Sequence, residues 1–279
     1  MWVGQQLADG LDFWGFLGSL ILGGIILGIY TGLLGYVGAK TGLSLDLLSQ
    51  RAFGEKGSYL PSAMTSFTQI GWFSVGSFVS GGTATPNFAR FAKNGKAGAI
   101  TTVVAFFIGN SLMFFFGAVS LIFVGGNDIF EVMVRLNLFY LAVLVLGLNI
   151  WTTNDNALYT AGLGLANIFH QRKKPMVLLS GIIGTVASVW LYYNFCGWLN
   201  ILNCTLPPVG MILVLAYFMN KEDFETDQPK LKTVDWFAVA GVILGAIVAN
   251  LLHWGIASIN GMVVAAVCYC VGQAVNKRK

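Results

Sequence analysis

Eight long stretches of this 279-residue chain carry almost no charge: 13–39, 58–89, 97–125, 137–165, 176–195, 197–218, 236–252 and 254–275. About 20 mostly apolar residues are enough to cross a bilayer as a helix. The stretches are rich in Gly, Phe, Leu and Val and lack the ten-residue apolar/polar alternation that a membrane barrel needs. In lipid each backbone N–H and C=O must find its partner within its own segment, so the expected fold class is all-α, a polytopic bundle of transmembrane helices. Only 10% of the residues are charged and 56% are hydrophobic, where a soluble domain has about 25% charged. So little polar surface excludes a soluble enzyme, a disordered chain and a nucleic-acid binder. The net charge of +4 is no sign of nucleic acid, because the basic residues mark loops.

The four cysteines, Cys196, Cys204, Cys268 and Cys270, form no CxxC pair, and the two histidines, His170 and His253, lie far apart. Neither a disulfide framework nor a transition-metal site is expected. The first twelve residues carry Asp9 and Asp12 and no Lys or Arg, unlike a signal peptide.

Basic residues cluster in particular loops: Lys40, Arg51 and Lys56; Arg90, Lys93 and Lys96; Arg172, Lys173 and Lys174; Lys221, Lys230 and Lys232; and Lys277, Arg278 and Lys279. The positive-inside rule places these loops and the C-terminus in the cytoplasm, for a multi-pass protein of the cytoplasmic (inner) membrane. The alternation fails once. The loops at 40–57 and 90–96 are both basic, yet only 58–89 lies between them. At about 32 residues it is too long for one ordinary span and too short for two with a turn. It is either a re-entrant hairpin, broken near Gly76 or Gly81–Gly82, or a place where an odd number of spans is missing.

Polar residues inside spans are costly and mark function by default. Asp155 is the one acid within a span, in the run from Asn149 to Asn156. Asn149, Thr152, Thr153 and Asn156 stand at i, i+3, i+4 and i+7, on one helix face. Four side-chain oxygens in two turns suit a hard cation such as Na⁺. A lone Thr in a span is more simply helix-to-helix glue; four on one stripe beside an acid favour a site. Asp155 points elsewhere, toward Tyr159, and its role stays open.

A second run, Thr68 to Thr83, places Gln69, Trp72, Phe73 and Gly76 at helical spacing. A Gln amide pairs a donor with an acceptor, as the edge of a nucleobase does; aromatic faces stack on planar rings. Helix packing explains either aromatic alone equally well. Gly81–Gly82 with Thr83, Thr85 and Pro86 reads as a helix interruption of the kind that forms transporter sites. The acidic residues Glu222, Asp223, Glu225 and Asp227 read as a solvated linker, and His253 as an interfacial turn residue. No phosphate-binding loop, nucleophile motif or paired carboxylate appears, so the chain is not expected to be an enzyme or to hold a cofactor.

The strings LGIYTGLLGYVGAKTGL (28–44), TQIGWFSVG (68–76), GSFVSGGTAT (76–85), FFIGNSLMFFFGA (106–118), VLGLNIWTTNDNALYTAGLGLANI (145–168), GIIGTV (181–186) and LPPVG (206–210) resemble the nucleobase:cation symporter-1 family, on its cytosine-permease branch. The resemblance covers most of the chain. It implies about twelve spans in the inverted-repeat arrangement of sodium symporters of the LeuT/APC-like kind, and uptake of cytosine coupled to Na⁺ by alternating access. It implies that Trp72 and Phe78 wall the base, that Gln69 meets its polar edge, and that Ser77 and Ser80 add hydrogen bonds. Asn149, Thr152 and Thr153 match the part of the eighth span that serves the sodium site. The implied partners are a nucleobase, Na⁺ as the coupling ion and the bilayer, with no nucleic acid.

Two departures stand out. TQIGWFSVG belongs to the family's third span and GSFVSGGTAT to its sixth, and here they meet at Gly76–Ser77. The remainder of span three, spans four and five and the start of span six are expected to be missing, which accounts for the broken alternation. Residues 1–4 match the middle of the first span, so an N-terminal truncation is expected as well. The chain then reads as a single but incomplete transporter domain over 1–279. Two alternatives accompany it: transport of a related planar ligand (uracil, a purine, allantoin or a hydantoin), or a non-transporting truncated membrane protein or subunit.

Overall fold

The computed structural model describes residues 11–75, 81–125, 129–226, 229, 231–252 and 254–276, with the backbone alone at 72–75, 81, 82, 121, 150, 192 and 196. Among the described residues there are thirteen helices: α1 (Phe13–Thr41), α2 (Leu45–Phe53), α3 (Tyr59–Val75), α4 (Gly81–Ala84), α5 (Pro86–Ala89), α6 (Gly95–Phe123), α7 (Ile129–Arg135), α8 (Phe139–Phe169), α9 (Lys173–Tyr193), α10 (Phe195–Met219), α11 (Lys221–Glu225), α12 (Trp236–Leu251) and α13 (Ala257–Asn276). Each of the eight apolar stretches holds one long helix. By length and composition five are able to cross a membrane: Phe13–Thr41, Gly95–Ser120, Lys173–Leu191, Gly197–Met219 and Ala257–Asn276. Helix α12 is apolar but shorter. The 31 residues of α8 span about 46 Å at 1.5 Å per residue.

The stretch 58–89 does not run as one helix. It rises as α3, which stops at Val75, and comes back through α4 and α5. Tyr59 Oη lies 2.8 Å from His170 Nε2, and Arg90 Nη2 donates to Tyr159 Oη at 2.5 Å. Both ends of the segment therefore stand at the same end of α8. The returning leg follows α1: Tyr30 Oη lies 2.8 Å from Thr83 Oγ1, and a Cβ on Gly38 would sit 2.7 Å from Pro86 Cα. Among the described residues the parity of the basic loops is thus kept.

Helices α1 and α6 lie antiparallel and close. A Cβ on Gly32 would come within 2.6 Å of Val103 Cγ2, and one on Gly35 within 2.5 Å of Thr102 Oγ1 and 3.1 Å of the Gly98 carbonyl. Lipid tails are as apolar as leucine, so spans associate through such backbone approach rather than through hydrophobic exclusion. Outward, α6 exposes Ile100, Val104, Ile108, Leu112 and Phe116. Helix α10 threads the centre. Val209, Ile212, Leu213 and Tyr217 are buried against Leu34 and Val37 of α1, Leu45, Leu48 and Phe53 of α2, Val242 of α12 and Tyr269 of α13. Pro207 has no N–H for the carbonyl of Asn203 four residues earlier; that carbonyl accepts instead from Ser258 Oγ of α13 at 3.2 Å.

At the basic end two connections are more ordered than the sequence suggests. The 40–57 loop contains α2, which starts at Ser44: its side chain accepts from Leu47 N at 3.4 Å, a typical N-cap. Residues 53–57 pair with the approach to α12 through Glu55 N to Lys232 O at 2.8 Å, Lys56 N to Thr233 O at 2.9 Å and Asp235 N to Phe53 O at 2.6 Å. The expected solvated acidic linker is partly docked, because a buried tyrosine and a neighbouring arginine need its oxygens. Tyr217 Oη donates to Glu225 at 3.0 Å, Lys40 lies 3.8 Å from the same carboxylate, and Arg51 donates to the Asp223 carbonyl at 2.7 Å.

The glycine contact yields a paired test. Gly35→Leu should lower the thermal midpoint in detergent by several degrees, an overpacking cost of about 1–3 kcal/mol. Gly109→Leu, on the same pair of helices but with nothing within 4 Å of its Cβ, should leave the midpoint in place. Equal midpoints for the two variants would remove the contact from the fold's determinants.

Candidate functional site

Helices α3 and α8 run antiparallel in a register fixed at the basic end. Asn167 Nδ2 donates to Ser58 Oγ at 3.0 Å and to Ser62 Oγ at 2.9 Å, and Ser66 Oγ donates to the Ala161 carbonyl at 3.1 Å. Gly164 permits this approach, since a Cβ there would lie 2.8 Å from the Ser62 carbonyl. Two turns beyond Ser62 the same register brings Gln69 level with the polar face of α8.

A cavity of about 590 Å³ opens there. Gln69 lines it from α3, and Asn149, Thr152, Thr153 and Asn156 line it from α8. The two polar groups identified separately in the sequence thus face one space. The third and fourth walls come from Thr85, Phe88, Ala89 and Ala92 on and after α5 and from Thr101, Thr102, Ala105 and Phe106 on α6. Gln69 and Thr160 are buried at its back, while Asn149, Thr152 and Asn156 present exposed side chains to it. Asp155 is exposed and does not line the cavity.

The chemistry of the lining is uniform. It contains no Asp, Glu, Lys, Arg or His among the described residues. Thr153 Oγ1 donates to the Asn149 carbonyl at 2.8 Å, and Thr152 Oγ1 to the Leu148 and Asn149 carbonyls at 3.2 and 3.1 Å. A hydroxyl whose proton is given to its own helix keeps its lone pairs for another partner. The stripe therefore offers neutral oxygens, the type of ligand that a hard monovalent cation accepts, and the cavity as a whole suits a neutral polar molecule. Thr160 Oγ1 is buried and makes no hydrogen bond, so the wall has unused hydrogen-bonding capacity.

Trp72 lies on α3 one turn from Gln69, with its backbone alone described. Ser77, Phe78 and Ser80 lie outside the described residues, as does His253. The sequence alone does not single out Thr160, Thr85, Phe88, Thr101 or Phe106. Thr160 carries a usable signal, because it continues the α8 stripe at i+11 from Asn149. Phe88 and Phe106 carry none, because their facing depends on how α5 and α6 pack.

The family described as permease for cytosine/purines, uracil, thiamine, allantoin matches residues 1–84 and 74–275. Cytosine permeases of Escherichia coli K12 and Escherichia coli O157:H7 are each 36% identical to this chain over 372 aligned residues, covering 100% of this chain and 88% of the relative. Among solved structures, Mhp1, a nucleobase-cation-symport-1 family transporter in a closed conformation with bromovinylhydantoin bound, superposes with a TM-score of 0.77 at 14% identity. That match covers 97% of this chain and 87% of Mhp1 and shows a common fold. On the strength of the family match along nearly its whole length, of the cytosine-permease relatives and of the shared helical fold, the chain belongs to the permease family for cytosine, purines, uracil, thiamine and allantoin, whose members are membrane transporters and not enzymes.

Proposed function

We propose that this chain carries a neutral nucleobase, cytosine foremost, across the cytoplasmic membrane by alternating access, driven by Na⁺. The observation that carries the reading is the meeting of Gln69 with the oxygen stripe of α8 in one uncharged cavity. Cytosine presents alternating donors and acceptors along one edge, and the Gln69 amide offers both kinds of group in one plane. An uncharged lining makes room for a neutral base without forcing an ion to lose its water. Trp72 and Phe78 are assigned the stacking faces, and Ser77 and Ser80 the remaining hydrogen bonds, on the strength of the family resemblance.

Na⁺ is assigned to Asn149 Oδ1 and to the hydroxyl oxygens of Thr152 and Thr153. Neutral oxygens hold a monovalent cation firmly enough to bind and loosely enough to release. Both sites draw on one helix, so occupying one stiffens the wall of the other. The resulting coupling is reciprocal: the base raises the affinity for Na⁺ by the factor by which Na⁺ raises that for the base. The basic end and the C-terminus are assigned to the cytoplasm by the charge of the loops.

We further infer that 1–279 is one transporter domain in which 58–89 joins the front of the family's third span to its sixth. Two observations support this. The family matches in two blocks that overlap at 74–84, on the segment in question. The alignment with the relatives extends over 372 positions, more than the 279 residues of this chain.

Proteoliposomes with an inward Na⁺ gradient should accumulate labelled cytosine, and unlabelled cytosine should compete better than uracil, a purine, allantoin or a hydantoin. Absence of uptake by well-inserted protein would establish the non-transporting reading instead, and indifference to excess cytosine would exchange the substrate for one of those ligands. Thr153→Ala should raise the Na⁺ concentration for half-maximal uptake about tenfold, with Thr153→Ser near the parent, one lost ligand oxygen being worth about 1.4 kcal/mol. Gln69→Ala should weaken half-saturation by cytosine about tenfold or more, because the base's polar edge is then left unpaired. An unchanged affinity would make Gln69 a packing residue.

A further inference from the structure

Asp46 stands in the first turn of α2, 5% exposed, in contact with the helices that line the cavity. Ser62 Oγ donates to Asp46 Oδ1 at 2.6 Å, Asn167 Nδ2 donates to Ser62 Oγ at 2.9 Å, and Gln50 Nε2 donates to Asn167 Oδ1 at 2.6 Å. The circuit starts on α2, crosses α3 and α8, and returns to α2. The end of α5 closes over it. Asn87 Oδ1 accepts from Leu45 N at 2.8 Å, and the Arg90 guanidinium, while donating to Tyr159, exerts its charge on Asp46. Phe88 and Ala89, lying between Asn87 and Arg90 in sequence, line the cavity, as does Thr160 next to Tyr159.

Arg90 is the charged group facing Asp46. The other ionisable groups around α2 are engaged elsewhere: Lys232 with Asp235 at 3.0 Å, Lys40 and Tyr217 with Glu225, Arg51 with the Asp223 carbonyl, and Tyr59 with His170. Around the circuit Asn87 Nδ2, Arg90 Nε and Ser49 Oγ are buried and make no hydrogen bond. Three unused polar groups at one junction suit a contact that has a second arrangement, since each costs free energy where it stands.

We propose that Asp46, acting with Arg90, is a proton-responsive positioning residue that holds the basic end of the cavity closed. The ionised carboxylate draws the Arg90 end of α5 onto α2, α3 and α8. Protonation removes that attraction. It also puts an O–H where Ser62 was donating, so that Ser62 Oγ faces two donors, Asn167 and Asp46, and must turn its own proton away. The end of α5 is then released and the cavity opens toward the basic end. The proposal extends the transport reading, since a gate is useful only on a path.

Burial pushes the Asp46 carboxyl up to about 6, against the Ser62 hydrogen bond and the Arg90 charge, which pull it down. The folded chain thus holds this proton more tightly than the unfolded chain does. The stabilisation is full below the ordinary carboxylate range and is lost as pH rises through about 6. Near neutral pH the carboxylate is ionised and the gate is closed.

The test measures access to the cavity and needs no uptake. Ala89→Cys is placed in a chain whose Cys196, Cys204, Cys268 and Cys270 are alanine, reconstituted, and labelled with an impermeant maleimide from the basic side at pH 5–8. Rates are taken relative to the same chain carrying Asp46→Asn at the same pH, which cancels the thiol's own ionisation. At pH 7.5 the chain that keeps Asp46 should label about fivefold more slowly than the Asp46→Asn control, and the two should converge at pH 5 with a midpoint near 6. Asp46→Glu should retain the step. A ratio that is flat across the range overturns the proposal. If Asp46→Asn does not stay monodisperse, Arg90→Gln serves as the reference: the step should vanish with the guanidinium, and its persistence overturns the pairing. A flat ratio in a chain that takes up cytosine refutes the gate alone; a pH step in a chain without uptake refutes the transport reading alone.

Discussion

The close antiparallel contact of α3 with α8 is the interaction on which the rest of the site depends. It exists because Gly164 has no side chain and because Ser58, Ser62 and Ser66 supply hydroxyls where larger residues would separate the helices. In a bilayer an apolar face gains little by meeting another, so register has to come from backbone approach and directed hydrogen bonds. Here both are concentrated within three turns at the basic end. Farther along, where α3 carries Gln69 and α8 carries its oxygens, the helices diverge enough to leave a cavity. The clamp and the opening are thus two parts of one geometry.

The division of polar residues follows from this. Those that bond each other across the interface, Ser62 with Asn167 and Asn167 with Gln50, are saturated and fix position. Those on the α8 stripe bond only their own backbone and stay available to a guest. Polar residues at similar depth in one helix therefore do opposite work, and the difference lies in whether a facing helix is near enough to accept.

Much of this is legible in the sequence. The eight spans follow from charge spacing, and helical period alone places Asn149, Thr152, Thr153 and Asn156 on one face. Gln69 stands out as a costly amide among aromatics. What stays hidden depends on contacts between distant segments. Phe88 and Phe106 are ordinary apolar residues until α5 and α6 close the cavity around them. Asp46 sits in a stretch that reads as a polar loop, and nothing local distinguishes it from a solvated acid. Its burial is produced by α3, α5 and α8, whose residues lie 16 to more than a hundred positions away. The acidic segment after α10 misleads for the same reason: its partners, Lys40, Arg51 and Tyr217, include two from the other end of the chain.

The backbone pairing of 53–57 with 232–235 carries a consequence for how the chain is made. A nascent chain presents its α2 edge long before the strand-like residues that will cover it have left the ribosome. In hydrocarbon such a delay would be prohibitive. At the basic end, water serves those N–H and C=O groups in the interval. The order of synthesis is thus compatible with a fold whose first and last thirds are stitched together, because the stitch lies in the aqueous layer, where waiting costs little.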